Sequence, residues 1–114
     1  MITATRTEIA DLLDKAADVI TTNGYCRSYV YDTGQAAGGT PEHECRVDII
    51  GALNLAAGGT PRYAGTGATW PAERALADRA KAPSVVTWMD YPGNGRQQAV
   101  DLLRETAASL REES

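Results

Sequence analysis

The chain has 114 residues, a formal net charge of −4 and a composition that is 43% hydrophobic and 23% charged. This length and composition are typical of one soluble domain, and we predict a single helical domain over residues 1–114. The acidic balance argues against a nucleic-acid-binding protein, and no apolar run reaches the ~20 residues that a membrane span requires.

The first predicted helix begins at a capping box, in which Thr5 is the N-cap and Glu8 reaches back to it. Asn23 and Gly24 are typical of a left-handed cap, so we place the end of the helix there. Between these limits apolar residues recur at steps of three and four, which indicates one buried face. They are Ile9, Leu12, Leu13, Ala16, Ala17 and Ile20.

The next segment, residues 25–32, is predicted to be extended. It contains three tyrosines and a valine and leads into Asp32-Thr33-Gly34, a pattern typical of a strand that ends in a turn. We interpret it as a short extended segment or as half of a small hairpin. A single hairpin is not stable alone, so this segment must pack against the helices. The glycine-rich residues 35–40 are predicted to form a loop.

A central helix is predicted at about residues 41–57, with Thr40 as its N-cap, Pro41 at its first position and a stop at Gly58 and Gly59. Apolar residues lie on two adjoining flanks of this helix, so other elements must cover it. We therefore expect it to be the centre of the core. The flanks are formed by Val47, Ile49, Ile50, Leu53, Ala56 and Ala57.

Further helices follow a glycine-rich loop at residues 58–69. Thr69 is the predicted N-cap of a helix that ends before Pro83. Residues 84–91 fit either a strand or a short buried helix, and we favour the helix. Asn94 with Gln97 has the spacing that caps a last helix. The apolar stripe of that helix is Ala99, Val100, Leu103, Ala107 and Leu110.

These patterns together predict a mainly α fold. The expected architecture is a compact bundle of four or five helices around the central buried helix (about 41–57), with a short extended segment or hairpin near residues 25–32. The chain has no phenylalanine and is only 6% aromatic, so small aliphatic side chains must build the core. Such side chains favour closely packed helices.

The two cysteines are the candidate nucleophiles or metal ligands. A thiolate beside an imidazole is a common nucleophile arrangement. However, His43 lies two residues from Cys45, and side chains at that spacing point to different faces of a helix. Cys26, His43 and Cys45 also lack the paired spacing of structural zinc ligands, so we predict no metal and no cofactor. We expect Cys45 to be buried and Cys26 to be more accessible.

For two charged features we favour a structural interpretation that gives them no functional role. Asp48 lies within the predicted central helix, either on an exposed face or as a buried, paired group. We favour the exposed face, because aspartate is rarely buried without a partner. Arg74, Arg79 and Lys81 are close in sequence and could form a basic patch. We favour a solvated helix face.

Aromatic residues at the ends of loops are the candidate binding residues. Two interpretations stay open for them. The tryptophans close the ends of a core that is poor in bulky side chains, since tryptophan is mostly buried on average. Alternatively, the aromatic residues share a cleft with two charged neighbours, as binding hot spots often use tryptophan, tyrosine and arginine. The six candidates are Arg62, Tyr63, Trp70, Trp88, Asp90 and Tyr91.

Several short motifs resemble those of an uncharacterised family of short proteins from actinobacteria and their phages, a domain of unknown function. The motifs are Gly24-Tyr25-Cys26, Cys45 with Gly51-Ala52-Leu53, and Trp88-Met89-Asp90 with Pro92-Gly93. The family's pattern leads us to expect tryptophan in place of Tyr25 and asparagine in place of Met89. The resemblance covers most of the chain and implies an intracellular protein. It implies no activity and no catalytic residues.

The residues themselves predict no reaction. We favour a small cytoplasmic binding or regulatory protein that acts through a protein partner, with no nucleic-acid or membrane partner. The N-terminus lacks the regions of a signal peptide, and reduced cysteines are usual in the cytoplasm. The alternative is a thiol-dependent enzyme that uses Cys26 or Cys45.

Overall fold

The computed structural model describes residues 4–27, 29–65 and 67–113. In these ranges the chain forms six α-helices, with a 3-10 turn at Glu42–Glu44 and only isolated β-bridges. The predicted mainly α fold is confirmed, whereas the predicted domain limits at residues 1 and 114 lie outside the described residues. The helices are α1 (Arg6–Asn23), α2 (Thr33–Ala37), α3 (Ile49–Ala56), α4 (Thr69–Ala80), α5 (Val85–Asp90) and α6 (Arg96–Glu112).

Helix α1 has the limits that its capping signals predict. The Thr5 hydroxyl accepts a hydrogen bond from the Glu8 N–H, and the Glu8 carboxylate accepts one from the Thr5 N–H, each at 3.1 Å. At the other end, Gly24 has a φ of 99°, and its N–H donates to the Ile20 carbonyl at 2.8 Å. The capping box and the glycine stop are therefore confirmed.

Helices α1 and α6 pack against each other in an antiparallel pair. Arginines of α6 contact acidic and carbonyl oxygens of α1 along its length. Arg96 donates to the Thr21 carbonyl at 2.9 Å, Arg104 contacts Asp18 at 2.6 Å, and Arg111 contacts Asp11 at 2.8 Å. Exposed pairs of this kind stabilise a fold only weakly, but the series defines how the two helices align.

The central helix is shorter than predicted. Residues 41–57 do not form one helix, because α3 begins only at Ile49, with Asp48 as its N-cap. Thr40 and Pro41 precede the 3-10 turn instead of an α-helix. The peptide groups of residues 46 and 47 pair with the preceding segment: the Cys26 N–H donates to the Val47 carbonyl at 3.0 Å. Backbone groups bonded in this way are not available to a helix.

The segment at residues 25–32, predicted to be extended, forms isolated bridges at its two ends and bends at Arg27, Tyr29 and Val30, and Ser28 lies outside the described residues. Its partner is residues 46–48. Tyr25, at one end of the segment, forms a parallel bridge with Val47. Tyr31, near the other end, forms an antiparallel bridge with the same residue. The Asp32 N–H donates to the Arg46 carbonyl at 2.8 Å. The segment therefore wraps around residues 46–48 and holds the start of α3 in place.

Helix α2 was not predicted, because residues 35–40 were interpreted as a loop. Asp32 is its N-cap and accepts a hydrogen bond from the Gln35 N–H at 3.1 Å. Arg46 also contacts the Asp32 carboxylate, at 2.8 Å. The Gln35 bond and the Arg46 contact lower the pKa of Asp32 below its ordinary value.

The remaining helices differ from the sequence predictions mainly at their first residues. Thr69 opens α4 and does not cap it. Residues 85–90 are helical, as favoured, and begin at a Ser84 cap. The N-cap of α6 is Gly95 and not Asn94: the Gln98 side chain accepts from the Gly95 N–H at 3.0 Å. The Asn94 amide donates to the Trp88 carbonyl at 2.9 Å instead.

The core joins α1, α3, α4, α5 and α6. Leu53 of α3 is fully buried, as predicted, and Val85 and Met89 add the inner side of α5. Among the described residues, no helix has the length and apolar character needed to cross a membrane. The largest fully buried aliphatic side chains are Leu13, Ile20, Val47, Ile49, Leu53, Leu76 and Leu103.

Candidate functional site

A shallow groove lies between α4 and the start of α5, with Trp70 on its edge. Trp70 is in the first turn of α4 and is 71% exposed. The groove has a volume of about 130 Å³. Its lining residues are Trp70, Glu73, Arg74, Ala77, Pro83, Ser84 and Val85.

One side of α4 forms the first wall of the groove. Positions 70, 73, 74 and 77 are spaced by three and four residues, so they lie on one face of the helix. The second wall follows a sharp turn at Lys81, which has a φ of 55°. There the Ala82 N–H donates to the Ala77 carbonyl at 3.0 Å, and the chain then returns along α4. Ala77 and Val85 are buried and give the groove an apolar floor.

The two charged residues of the groove differ in their surroundings. Glu73 is half-buried, and burial raises the pKa of its carboxyl. Arg74 is exposed and lies 3.3 Å from Asp78, one turn further along α4. The Glu73 carboxyl therefore lies in the wall of the groove near the Trp70 indole. No other described residue that lines the groove forms an ion pair with it.

Trp88, Asp90 and Tyr91 lie at or near the other end of α5 and are not among the residues that line the groove. Trp88 is half-buried and packs against the core. Asp90 is exposed, and Tyr91, the C-cap residue, is 43% exposed. The core-closing interpretation thus describes Trp88, while Trp70 faces solvent.

Arg62 and Tyr63 lie in the loop between α3 and α4. Tyr63 is 72% exposed, and Arg62 lies 3.3 Å from the Glu42 carboxylate. This part of the loop is anchored: the Asn54 amide donates to the Pro61 carbonyl at 2.8 Å. A Cβ on Gly59 would lie only 2.1 Å from the Tyr63 carbonyl oxygen, so the backbone approaches itself closely there. Only Trp70 of the six predicted binding residues lines the groove.

Sequence reasoning missed the residues that complete the groove. Glu73 and Arg74 share the helical spacing of Trp70, so the pattern of α4 contained the signal that could have identified them. Pro83 and Val85 join them only through the turn at Lys81, which no local pattern placed against α4.

Neither cysteine is in surroundings that activate a thiol. Cys45 is fully buried and Cys26 is half-buried, in the order predicted, and both are free. Burial, with a smaller contribution from the Asp48 charge, raises the pKa of Cys26 to about 11. The Cys26 thiol therefore stays protonated at neutral pH, whereas the thiolate is the reactive form. His43 is exposed, and its Nε2 lies 3.5 Å from Glu44.

Asp48 is buried, so the exposed-face interpretation was wrong. Its carboxylate caps α3 and accepts a hydrogen bond from the Gly51 N–H at 2.8 Å. Burial raises the pKa of Asp48 to about 6, although the Gly51 and Ile50 N–H groups oppose the rise. The neighbouring Tyr25 hydroxyl is buried and has no hydrogen-bond partner in the described part of the chain. Burial first, and the Asp48 charge second, raise the pKa of Tyr25 to about 12.

We expect Asp48→Asn to remove a pH dependence of stability. Because the folded-state pKa of Asp48 is raised from 3.8 to about 6, the folded form binds its proton more tightly than the unfolded form. This contribution to stability is present below pH 3.8 and is lost as the pH rises through about 6. Asparagine caps a helix as well as aspartate does. At 1.36 kcal/mol per pKa unit, the variant should be more stable than the parent by about 3 kcal/mol above pH 7.

Urea unfolding of both proteins at pH values from below 4 to 8 measures this difference. The two proteins should have nearly equal stability at the acidic limit and diverge as the pH rises. Asp48→Ala is the control, because it removes the charge and also the helix cap. A difference between parent and Asp48→Asn that does not change with pH would show that Asp48 does not titrate as described.

The described residues contain no group of three or more His, Cys, Asp or Glu side chains that could hold a metal ion. A family model for a family of unknown function, DUF6197, matches residues 4–109. The chain has no significant match among the curated proteins or among the solved structures.

Proposed function

The chain belongs to DUF6197, a family of unknown function, and we propose that it is a small protein-binding domain. The observation that carries the proposal is Trp70, a tryptophan that is 71% exposed on the edge of a groove with an apolar floor. The chain has two tryptophans and no phenylalanine, so one of its two largest side chains occupies a solvent-facing position. Exposed tryptophan beside a pocket is typical of binding hot spots.

The dimensions of the groove favour a side chain of a protein partner over a metabolite. Its volume of about 130 Å³ is below the roughly 300–1,000 Å³ of most small-molecule sites. One apolar side chain of a partner could rest on Ala77 and Val85 against the indole. The Glu73 carboxylate beside it favours a basic residue next to that apolar anchor, because opposite charges suit each other across an interface.

The thiol-dependent enzyme is the weaker alternative. Cys45 is inaccessible, and the raised pKa of Cys26 disfavours its nucleophilic form. The cytoplasmic location also remains part of the proposal. Two free cysteines are compatible with it, as is the resemblance to intracellular actinobacterial and phage proteins.

Trp70→Ala is the test of the binding site. Affinity capture from a lysate, followed by mass spectrometry, should identify proteins that bind the parent. Trp70→Ala should weaken their binding by roughly 30-fold, since a hot-spot residue contributes about 2 kcal/mol or more. Its free energy of unfolding should change by less than ~0.5 kcal/mol, as is usual for a surface position. Tyr29→Ala is the matched control, because Tyr29 is exposed but does not line the groove.

Two further variants, Tyr63→Ala and Tyr91→Ala, show how far the binding surface extends. On the hypothesis of a shared surface, both keep the melting temperature of the parent and lose the partner. If both instead unfold readily, the tyrosines are structural and the surface is limited to the Trp70 groove. Equal capture by Trp70→Ala and by Tyr29→Ala would contradict the proposal.

A further inference from the structure

A second, larger cavity lies on another side of α4, where this helix meets α6. It has a volume of about 600 Å³, within the roughly 300–1,000 Å³ of small-molecule sites. Positions 75, 78 and 79 of α4 line it, whereas positions 70, 73, 74 and 77 line the Trp70 groove. At 3.6 residues per turn these two sets face different directions. The cavity is therefore separate from the proposed protein-binding surface.

The charged side chains that line this cavity without an ion-pair partner are positive. Its two carboxylates are already paired, Glu113 with Arg6 and Asp78 with Arg74. Arg79 and Lys81 also line the cavity, and within the described residues their side chains have neither an ion pair nor a hydrogen bond. These two cations therefore lie beside the same cavity with no carboxylate of the described residues paired to them.

A buried hydroxyl in the same lining also lacks a partner. Thr106 of α6 lines the cavity and is 3% exposed, and its Oγ1 has no hydrogen-bond partner in the part of the chain that the structure describes. A threonine inside a helix can donate to the carbonyl four residues earlier, but here that bond is not made. An unsatisfied buried hydroxyl costs free energy, but this oxygen is closed off from solvent and so from a ligand in the cavity.

The remaining lining is suited to an apolar group. Ala75 of α4 and Leu110 of α6 line the cavity beside the cations, and both are partly buried. A ligand that matches these walls has an anionic group at one end and a short apolar part at the other.

We propose that the cavity between α4 and α6 binds a small anionic molecule, whose phosphate or carboxylate group contacts Arg79 and Lys81. Ala75 and Leu110 contact its apolar part. Arginine and lysine are the usual partners of such groups, and charge-assisted hydrogen bonds are stronger than neutral ones.

The experiment is an NMR titration of the ¹⁵N-labelled full chain at constant pH and ionic strength. The probes are inorganic phosphate, hexyl phosphate, hexanoate and hexylamine. Saturable shifts are expected for the amides around Lys81, Thr106 and Leu110. Hexyl phosphate should bind more tightly than inorganic phosphate, and hexylamine should not bind. The relative affinities of hexyl phosphate and hexanoate distinguish a phosphate site from a carboxylate site.

Two variants test the proposed contacts, and a third tests whether the Thr106 hydroxyl takes part. Arg79→Gln and Lys81→Gln should each weaken hexyl phosphate binding roughly tenfold, as expected when one charge-assisted contact is lost. Thr106→Val has nearly the same shape and removes only a hydroxyl that is closed off from solvent, so it should fold and bind as the parent does. Lys15→Gln is the matched control, because Lys15 is an exposed lysine of α1 that does not line this cavity.

Other outcomes would overturn the proposal. Shifts that spread over every basic residue and do not saturate would show general attraction of anions. Arg79 also lines a neighbouring cavity that contains Glu105 and Glu112. If Arg79 pairs with these carboxylates in solution, Arg79→Gln will leave binding unchanged. Thermal melts confirm that each variant is folded, and none of these results depends on a partner at Trp70.

Discussion

Gly51→Ala should destabilise the protein strongly, although alanine is normally the better helix residue. A Cβ at Gly51 would lie 2.0 Å from the Val30 carbonyl oxygen and 3.2 Å from the Val47 Cβ. To relieve this contact, α3 must move away from the segment that wraps around residues 46–48. Overpacking of this kind costs about 1–3 kcal/mol and occasionally more. Chemical denaturation should show a loss near the upper end of that range.

The matched control for this change is Gly67→Ala. No atom lies within 4 Å of a Cβ built on Gly67, so the same added methyl meets open space. Such a substitution is expected to be neutral or to stabilise by up to about 1 kcal/mol, because it restricts the unfolded chain. Equal stability of Gly51→Ala and Gly67→Ala would show that α3 and Val30 are not in close contact.

Leu53→Ala should cost about 2–5 kcal/mol, the usual range for truncating a leucine in a core. Leu53 is fully buried at the centre of α3, a helix whose neighbours cover it on several sides. The surroundings have little room to collapse into the space that the side chain leaves. At roughly 4–8 °C per kcal/mol for a domain near this size, the melting temperature should fall by about 10 °C or more.

Val86→Ala is the control for the Leu53 variant. Val86 is also apolar and helical, but it is 55% exposed, so its truncation should change stability by less than ~0.5 kcal/mol. A Leu53→Ala protein that melts within a degree of the parent would show that Leu53 is exposed and that α3 is misplaced.

The features that the sequence predicted correctly depend mostly on residues that lie close together along the chain. The capping box of Thr5 and Glu8 and the stop at Gly24 are local hydrogen-bonding patterns, and they set both limits of α1. The apolar stripe of α6 and the burial of Leu53 follow from helical spacing in the same way. The order of accessibility of the two cysteines was likewise predicted correctly.

The candidate site was predicted only in part. Trp70 was identified because large aromatic residues are scarce and this one lies at the end of a loop. Its groove was not identified, since Pro83 and Val85 reach α4 only through the turn at Lys81. The cavity between α4 and α6 joins residues almost thirty positions apart, such as Arg79 and Thr106. No local spacing indicates such a pair.

The sequence by itself determined the mainly helical fold, the limits of α1 and part of the inner face of α6, where it identified Ala99, Leu103 and Ala107 but not Leu102 and Thr106. Only the tertiary structure decided where α3 begins and what Asp48 does. The sequence of residues 41–57 is compatible with one continuous helix. The backbone of residues 46–48 instead bonds with the segment from Gly24 to Asp32, and these long-range hydrogen bonds outweigh local helix propensity. Asp48 is therefore a buried cap, and Gly51 is where two backbones meet.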